Sequence, residues 1–154
     1  MMIRDYRAAD CRAIADLFHA AVHAIDDAHY SAAQREAWAP TPPDYGVWAA
    51  RLERRQPLVA EQDGLIQGFI ELEPDGHIDC FYVHPNFQRC GVATRLLQRV
   101  LDIAQARAQC RLYVEASTAA RPLFESHGFE LLGQNRVERR GQVLINYRMV
   151  LQIG

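Results

Sequence analysis

The sequence predicts one mixed α/β (α+β) domain in which a central twisted sheet of about seven strands is flanked by helices. Three observations predict it. With 154 residues and 49% hydrophobic content, the chain is long enough for one substantial core and too short for two ordinary domains, so residues 1–154 form a single domain. Stretches with strand and helix periodicity alternate along its whole length, with turn residues between them. A strand, a long helix and a strand follow one another from residue 77 to residue 115, the order of a parallel crossover.

Residues 2–7 predict a short strand, and residues 9–27 place Ile14, Leu17, Phe18, Ala21, Val22 and Ile25 on one face of an amphipathic helix. His19 and His23 lie one turn apart near Asp16, but opposite the apolar stripe and with no further convergent ligand, so a solvated face is expected and no metal site. Ser31 can cap a second helix that runs to Trp38, and Pro40, Pro42 and Pro43 end it in a loop. A third helix over about 44–55 carries Trp48 and Leu52, and Leu58 to Glu61 then forms a strand before the Asp63-Gly64 turn. Leu65 to Glu73 pairs back, and Pro74-Asp75-Gly76 opens a third strand at 77–83. The helix at about 91–107 buries Leu96, Leu97, Val100, Ile103 and Ala104, and Arg111 to Glu115 is the next strand. Ser117 or Thr118 is expected to cap a short helix ending at Gly128, with Pro122 in its first turn. Two strands, 129–138 and 142–151, close the chain around Arg140-Gly141.

A formal charge of −2 shows no basic excess, and the Arg54-Arg55 and Arg139-Arg140 pairs are expected on a solvated surface, so no nucleic-acid partner is indicated. Cys11, Cys80, Cys90 and Cys110 are scattered and lack metal-ligand or disulfide spacing, which suits a reducing compartment. The N-terminus lacks an apolar signal core, and no apolar run approaches the roughly 20 residues of a membrane span. A cytoplasmic protein without a membrane partner is expected.

The stretch from Val83 to Leu97 runs from an apolar strand through a polar turn into an amphipathic helix. Such a junction can hold an anion, because the first N–H groups of a helix have no intrahelical partner and the helix dipole adds about half a positive charge. Gly91 allows close approach to the backbone and Ala93 is small. An ordinary strand-to-helix turn in which Gly91 only relieves strain fits the same residues.

Over nearly its full length the chain resembles the GNAT acetyltransferase superfamily. Gln88-Arg89-Cys90-Gly91-Val92-Ala93 is similar to the family's acetyl-CoA loop, (Q/R)-x-x-G-x-(G/A), and Phe81-Tyr82-Val83-His84-Pro85 to the strand before it. Ala120 to Phe129 is similar to the later A-x-x-x-Y-E-x-x-G-F signature, with Phe124 where the family has tyrosine. The His29 to Trp38 segment and the Asn146-Tyr147-Arg148-Met149 ending resemble a little-characterised bacterial subset.

The resemblance implies a splayed parallel pair in the sheet centre and acetyl-CoA as co-substrate, with no metal. The pyrophosphate would sit on the amides of Arg89 to Thr94, with Gln88, Cys90, Gly91, Val92 and Ala93 in the same loop. The pantetheine would pair with Phe81, Tyr82 and Val83, Ser117 would bond near the thioester, and Arg121 would reach a phosphate. Alternation puts His77, Asp79 and Phe81 on one side of their strand and Ile78, Cys80 and Tyr82 on the other. Asp79 is then the leading general base, Glu71 the reserve and Tyr82 a candidate acid, because Phe124 cannot donate a proton. Tyr30, Trp38 and His77 are candidate acceptor contacts, and packing between short helices explains Tyr30 and Trp38 equally well. The activity implied is direct acetyl transfer to a primary amine of a small molecule or peptide in a ternary complex. The missing tyrosine motivates the alternative, a non-catalytic acyl-CoA-binding sensor. The expected partners are the co-substrate and the amine, with a homodimer left open.

Overall fold

The computed structural model describes all 154 residues. Strands β1 (Met2–Asp5), β2 (Leu58–Gln62), β3 (Leu65–Leu72), β4 (His77–Val83), β5 (Arg111–Ser117), β6 (Glu130–Arg139) and β7 (Gln142–Gln152) form one open sheet. Their spatial order is β1-β2-β3-β4-β5-β7-β6. Every neighbouring pair is antiparallel except β4 and β5, which the long helix joins by the expected parallel crossover.

Helices α1 (Cys11–His23), α2 (Ala32–Trp38) and α3 (Tyr45–Arg55) precede the central strands, while α4 (Val92–Ala106) and α5 (Arg121–Ser126) follow β4 and β5. Two apolar clusters result. Leu96, Leu97 and Val100 of α4 pack with Ile70, Ile78, Leu112 and Phe124, while Ile14, Leu17 and Phe18 of α1 pack with Leu52, Val59, Phe69 and Cys80. The first helix stops at His23, short of residue 27, and a turn of 3₁₀ helix over Ala8–Asp10 precedes it. Ser31 caps α2 as expected: its Oγ accepts the Gln34 N–H at 3.1 Å, and the Gln34 side chain accepts the Ser31 N–H at 2.8 Å. The α5 cap differs from expectation. Ala120 takes the N-cap position without a side-chain bond, and Ser117 Oγ instead accepts the Ala120 N–H one turn earlier, at 3.0 Å.

Two irregularities shape the sheet centre. β4 and β5 pair only through His77 with Tyr113 and Ile78 with Val114, then part, while β5 stays paired with β7 as far as Ser117. Between β3 and β4, Ile70 faces Phe81 but Leu72 faces Ile78, so β4 spends one more residue than its partner. This bulge overturns the simple alternation expected for β4. Ile78, Phe81 and Val83 lie on the α4 side and Cys80 and Tyr82 on the α1 side, so Asp79 and Cys80 occupy the extra step opposite Glu71.

Candidate active site

A short 3₁₀ turn, Pro85–Phe87, follows β4, and the chain then passes Arg89 with φ 61° and Gly91 with φ 81° before α4 begins at Val92. Leu96, Leu97, Val100 and Ala104 are buried, so the hydrophobic stripe of α4 fixes the helix on the sheet and aims its N-terminus past the end of β4. The first helical bond is donated by the Arg95 N–H to Gly91 at 3.1 Å, and the N–H groups of Arg89 through Thr94 bond to nothing in the chain. That run of free donors at a helix N-terminus is a cradle for an anion. The side-chain amide of Gln88 donates to the Val83 carbonyl at 3.0 Å and ties the loop to its strand.

The parting of β4 and β5 opens a cavity of about 780 Å³. Phe81, Ala116, Ser117 and Phe124 line it toward α5, while Phe18, Trp38, Trp48 and Tyr82 line it toward α1 to α3. Asp79, His77 and Tyr30 also reach it, so seven of the sequence-predicted residues converge on one space: Tyr30, Trp38, His77, Asp79, Phe81, Tyr82 and Ser117. Phe124 stacks edge-on against Phe81 and Phe129 in the wall.

A charged network forms the wall beside the bulge. Arg51, on α3, donates to both oxygens of buried Glu71 (2.6 and 3.2 Å), to Asp79 Oδ2 (2.9 Å) and to Cys80 Sγ (3.2 Å). Arg55 pairs with Glu73 at 2.7 Å and with Asp79 Oδ2 at 3.3 Å, so it is not the free surface arginine expected. Burial works against the charge of Arg51, but Glu71, Cys80 and Asp79 outweigh it and hold the guanidinium protonated. Glu71 is fully buried and lies outside the cavity lining, committed to Arg51, whereas Asp79 keeps Oδ1 without a partner. His77 lies between Glu73 at Nδ1 (2.7 Å) and Glu115 at Nε2 (2.5 Å) and stacks on Tyr113. Burial lowers its proton affinity, but the two carboxylates prevail and the pKa is raised. Burial, reinforced by Cys80, pushes the Tyr82 phenol well up, so it stays protonated.

Other predicted residues are used differently. The Tyr30 hydroxyl donates to the Ile145 carbonyl at 2.7 Å and accepts the Thr118 N–H at 3.0 Å, so this tyrosine ties the segment before α2 to the end of β5. Arg121 donates to Glu125 at 2.9 Å and lies over the Tyr147 ring, outside the cavity. His19 and His23 are half-exposed and bond Thr41 Oγ1 and the Ala39 carbonyl in the loop after α2. Sequence reading missed Arg51, although its i,i+4 spacing from Arg55 places both on one helix face.

Residues 26–151 match the family model of the acetyltransferase (GNAT) domain. Over 149 residues, 97% of this chain and 94% of the relative, the sequence is 34% identical to the uncharacterized N-acetyltransferase YafP of Escherichia coli (strain K12). A crystal structure of a GCN5-related N-acetyltransferase from Rhodopseudomonas palustris superposes with a TM-score of 0.93 at 33% identity, covering 99% of this chain and 95% of that one. The structure of yncA, a putative acetyltransferase from Salmonella typhimurium with its cofactor acetyl-CoA, gives a TM-score of 0.76 at 25% identity over 99% and 93% of the two chains.

Proposed function

Because this chain belongs to the GNAT acetyltransferase family and is an acyltransferase, we propose that it transfers the acetyl group of acetyl-CoA to a primary amine of a small molecule or peptide, directly, in a ternary complex. The observation that carries this is the run of unpartnered amides from Arg89 to Thr94 at the end of the same strand whose parting from β5 opens the cavity. A pyrophosphate suits those amides, and Gly91 leaves the approach to them open. The stretch of β4 beyond Ile78 has no β5 partner and can take an extended amide-bearing arm as a further strand, at Phe81, Tyr82 and the Val83 N–H. Ser117 lines the cavity near the same opening.

An alkylammonium, with a pKa near ~10, must lose a proton before its nitrogen can attack. Asp79 is the base, with Oδ2 held by Arg51 and Arg55 and Oδ1 free to take the proton directly or through water. Tyr82, kept neutral by burial, is the donor facing the departing thiolate, since Phe124 has no hydroxyl.

The test is a thiol-release assay with acetyl-CoA across a panel of amines, with thermal unfolding run in parallel. Acetyl-CoA at ~100 times its dissociation constant is expected to stabilise the protein by roughly 2.7 kcal/mol. An absent shift overturns the donor assignment, and a shift without thiol release on any amine favours the sensor. In the same assay Asp79→Asn is expected to lower kcat/KM by ~10² or more. An unchanged pH profile in that variant removes Asp79 as base.

A further inference from the structure

The cavity's charges are matched at one end and unmatched at the other. Beside β4 and β5, Asp79 is paired with Arg51 and Arg55, and Glu115 with His77. At the far end, Arg139 and Arg140 sit at the tip of the β6–β7 hairpin, exposed as expected, and also line the rim of the same cavity. Neither forms an ion pair: Arg139 donates to its neighbour's carbonyl at Glu138 (3.3 Å) and Arg140 to the Ala37 carbonyl (2.6 Å). Arg140 holds its place in a left-handed conformation, φ 46°, at a turn position that Asn or Gly fills with less resistance. The bond to Ala37, next to Trp38 at the end of α2, fixes this strained arginine over the cavity rim.

A second polar group in the wall is unsatisfied. Asn146 Oδ1 is buried without a donor, on β7 directly across from Ser117 of β5. Gln142, the partner of Arg139, lies four residues earlier on β7, so about 14 Å of strand separates the two registers. The cavity wall includes Tyr30, Trp38 and Tyr82, with Val137 and Leu144 from the hairpin.

We propose that the acceptor is a primary amine that also carries a carboxylate, on the order of 10 Å from the reacting nitrogen. This rests on the chain acting as an acetyl-CoA-dependent N-acetyltransferase. The nitrogen lies beside Asn146, across the opening from Asp79, an apolar span runs along the wall, and the carboxylate meets Arg139 and Arg140. In the transfer, the nitrogen bonds the acetyl carbon as the carbon–sulfur bond breaks. Its proton passes to Asp79 or water, and the sulfur leaves as the thiolate of CoA. A short amino acid such as glycine cannot reach both ends.

The experiment uses a ladder of ω-amino carboxylates, from glycine through aminohexanoate to aminoundecanoate, each paired with the alkylamine of equal chain length. With acetyl-CoA as donor, kcat/KM for the long carboxylates is expected to exceed that of their paired amines by about tenfold, the effect of one charge-assisted contact, with no such gain for glycine. Replacing both arginines (Arg139→Glu with Arg140→Glu) is expected to reverse the preference toward diamines of the same length. Equal rates within every pair, a preference greatest for glycine, or a carboxylate preference that survives the charge reversal each overturn the proposal while acetyl-CoA binding stands. Absence of any acetyl-CoA thermal shift overturns the donor assignment and this one with it.

Discussion

Arg51 shows how much a single side chain can organise. It spans from α3 to both strands at the bulge and supplies the counter-charge for Glu71, whose side chain is buried. Removing it as Arg51→Met leaves a buried charge unpaired, and a loss of about 3 kcal/mol is expected in chemical denaturation. Adding Glu71→Gln removes the orphaned charge and should restore most of that loss, a recovery that would be missing if Arg51 stabilised only by packing. Glu71 therefore serves as a structural anchor, and of the two carboxylates expected as bases only Asp79 lines the cavity. Residue chemistry of this kind was half legible. Asp79 and Tyr82 are recognisable from their place in a strand that runs through a glycine-containing turn into a helix N-terminus, but which carboxylate is buried depends on what covers it.

At the scale of elements, α4 decides where the free amides stand, and its seat is β3. Gly68 makes that seat: a Cβ there would lie 3.0 Å from the Tyr82 carbonyl and 3.1 Å from side chains of Leu96 and Val92. Gly68→Ala is expected to destabilise by about 1–2 kcal/mol through overpacking. Because Val92 opens α4, acetyl-CoA affinity should fall as well, which calorimetric titration can read beside the unfolding midpoint. The helices and most strands were legible because their periodicity is local: Ile14, Leu17 and Phe18 mark a stripe wherever the helix packs. The β4 bulge was not. No glycine or proline marks residues 77–83, and the extra residue exists only in the register with β3, so alternation assigned Asp79 and Cys80 to opposite faces.

For the whole molecule, two buried or half-buried titrating groups set opposite limits on stability. Asp10 accepts two bonds from Arg4, at 2.8 Å each, and the Arg7 N–H, which lower its pKa despite burial. Its contribution is complete above the unfolded carboxylate value, near ~3.9, and is lost as pH falls through the lower folded value. His77, with its pKa raised by Glu115 and Glu73 against the effect of burial, contributes fully below its unfolded value near ~6.5 and loses that contribution as pH rises through the folded value. His77→Gln is therefore expected to flatten the decline of Tm above pH ~6.5 while leaving the acid side unchanged, as thermal melts across a pH series would show. An unaltered alkaline slope would mean that the Glu73–His77–Glu115 contact adds nothing to folding. That contact bridges the last paired residues of β4 and β5, so the same melts report on the point from which the strands part.

The sequence by itself determined the element order, the single sheet, the capping of α2 and the anion-ready junction before α4, because each follows from hydrogen-bonding and burial patterns within a few residues of one another. Only the tertiary structure decided which side chains meet. It took Glu71 out of the cavity, assigned the Tyr30 hydroxyl to Ile145 and Thr118, and set the exposed Arg139 and Arg140 at the cavity rim. These outcomes depend on contacts between residues about 20 to 115 positions apart, such as Arg51 with Glu71 and Tyr30 with Ile145, and local periodicity carries no information about such pairings.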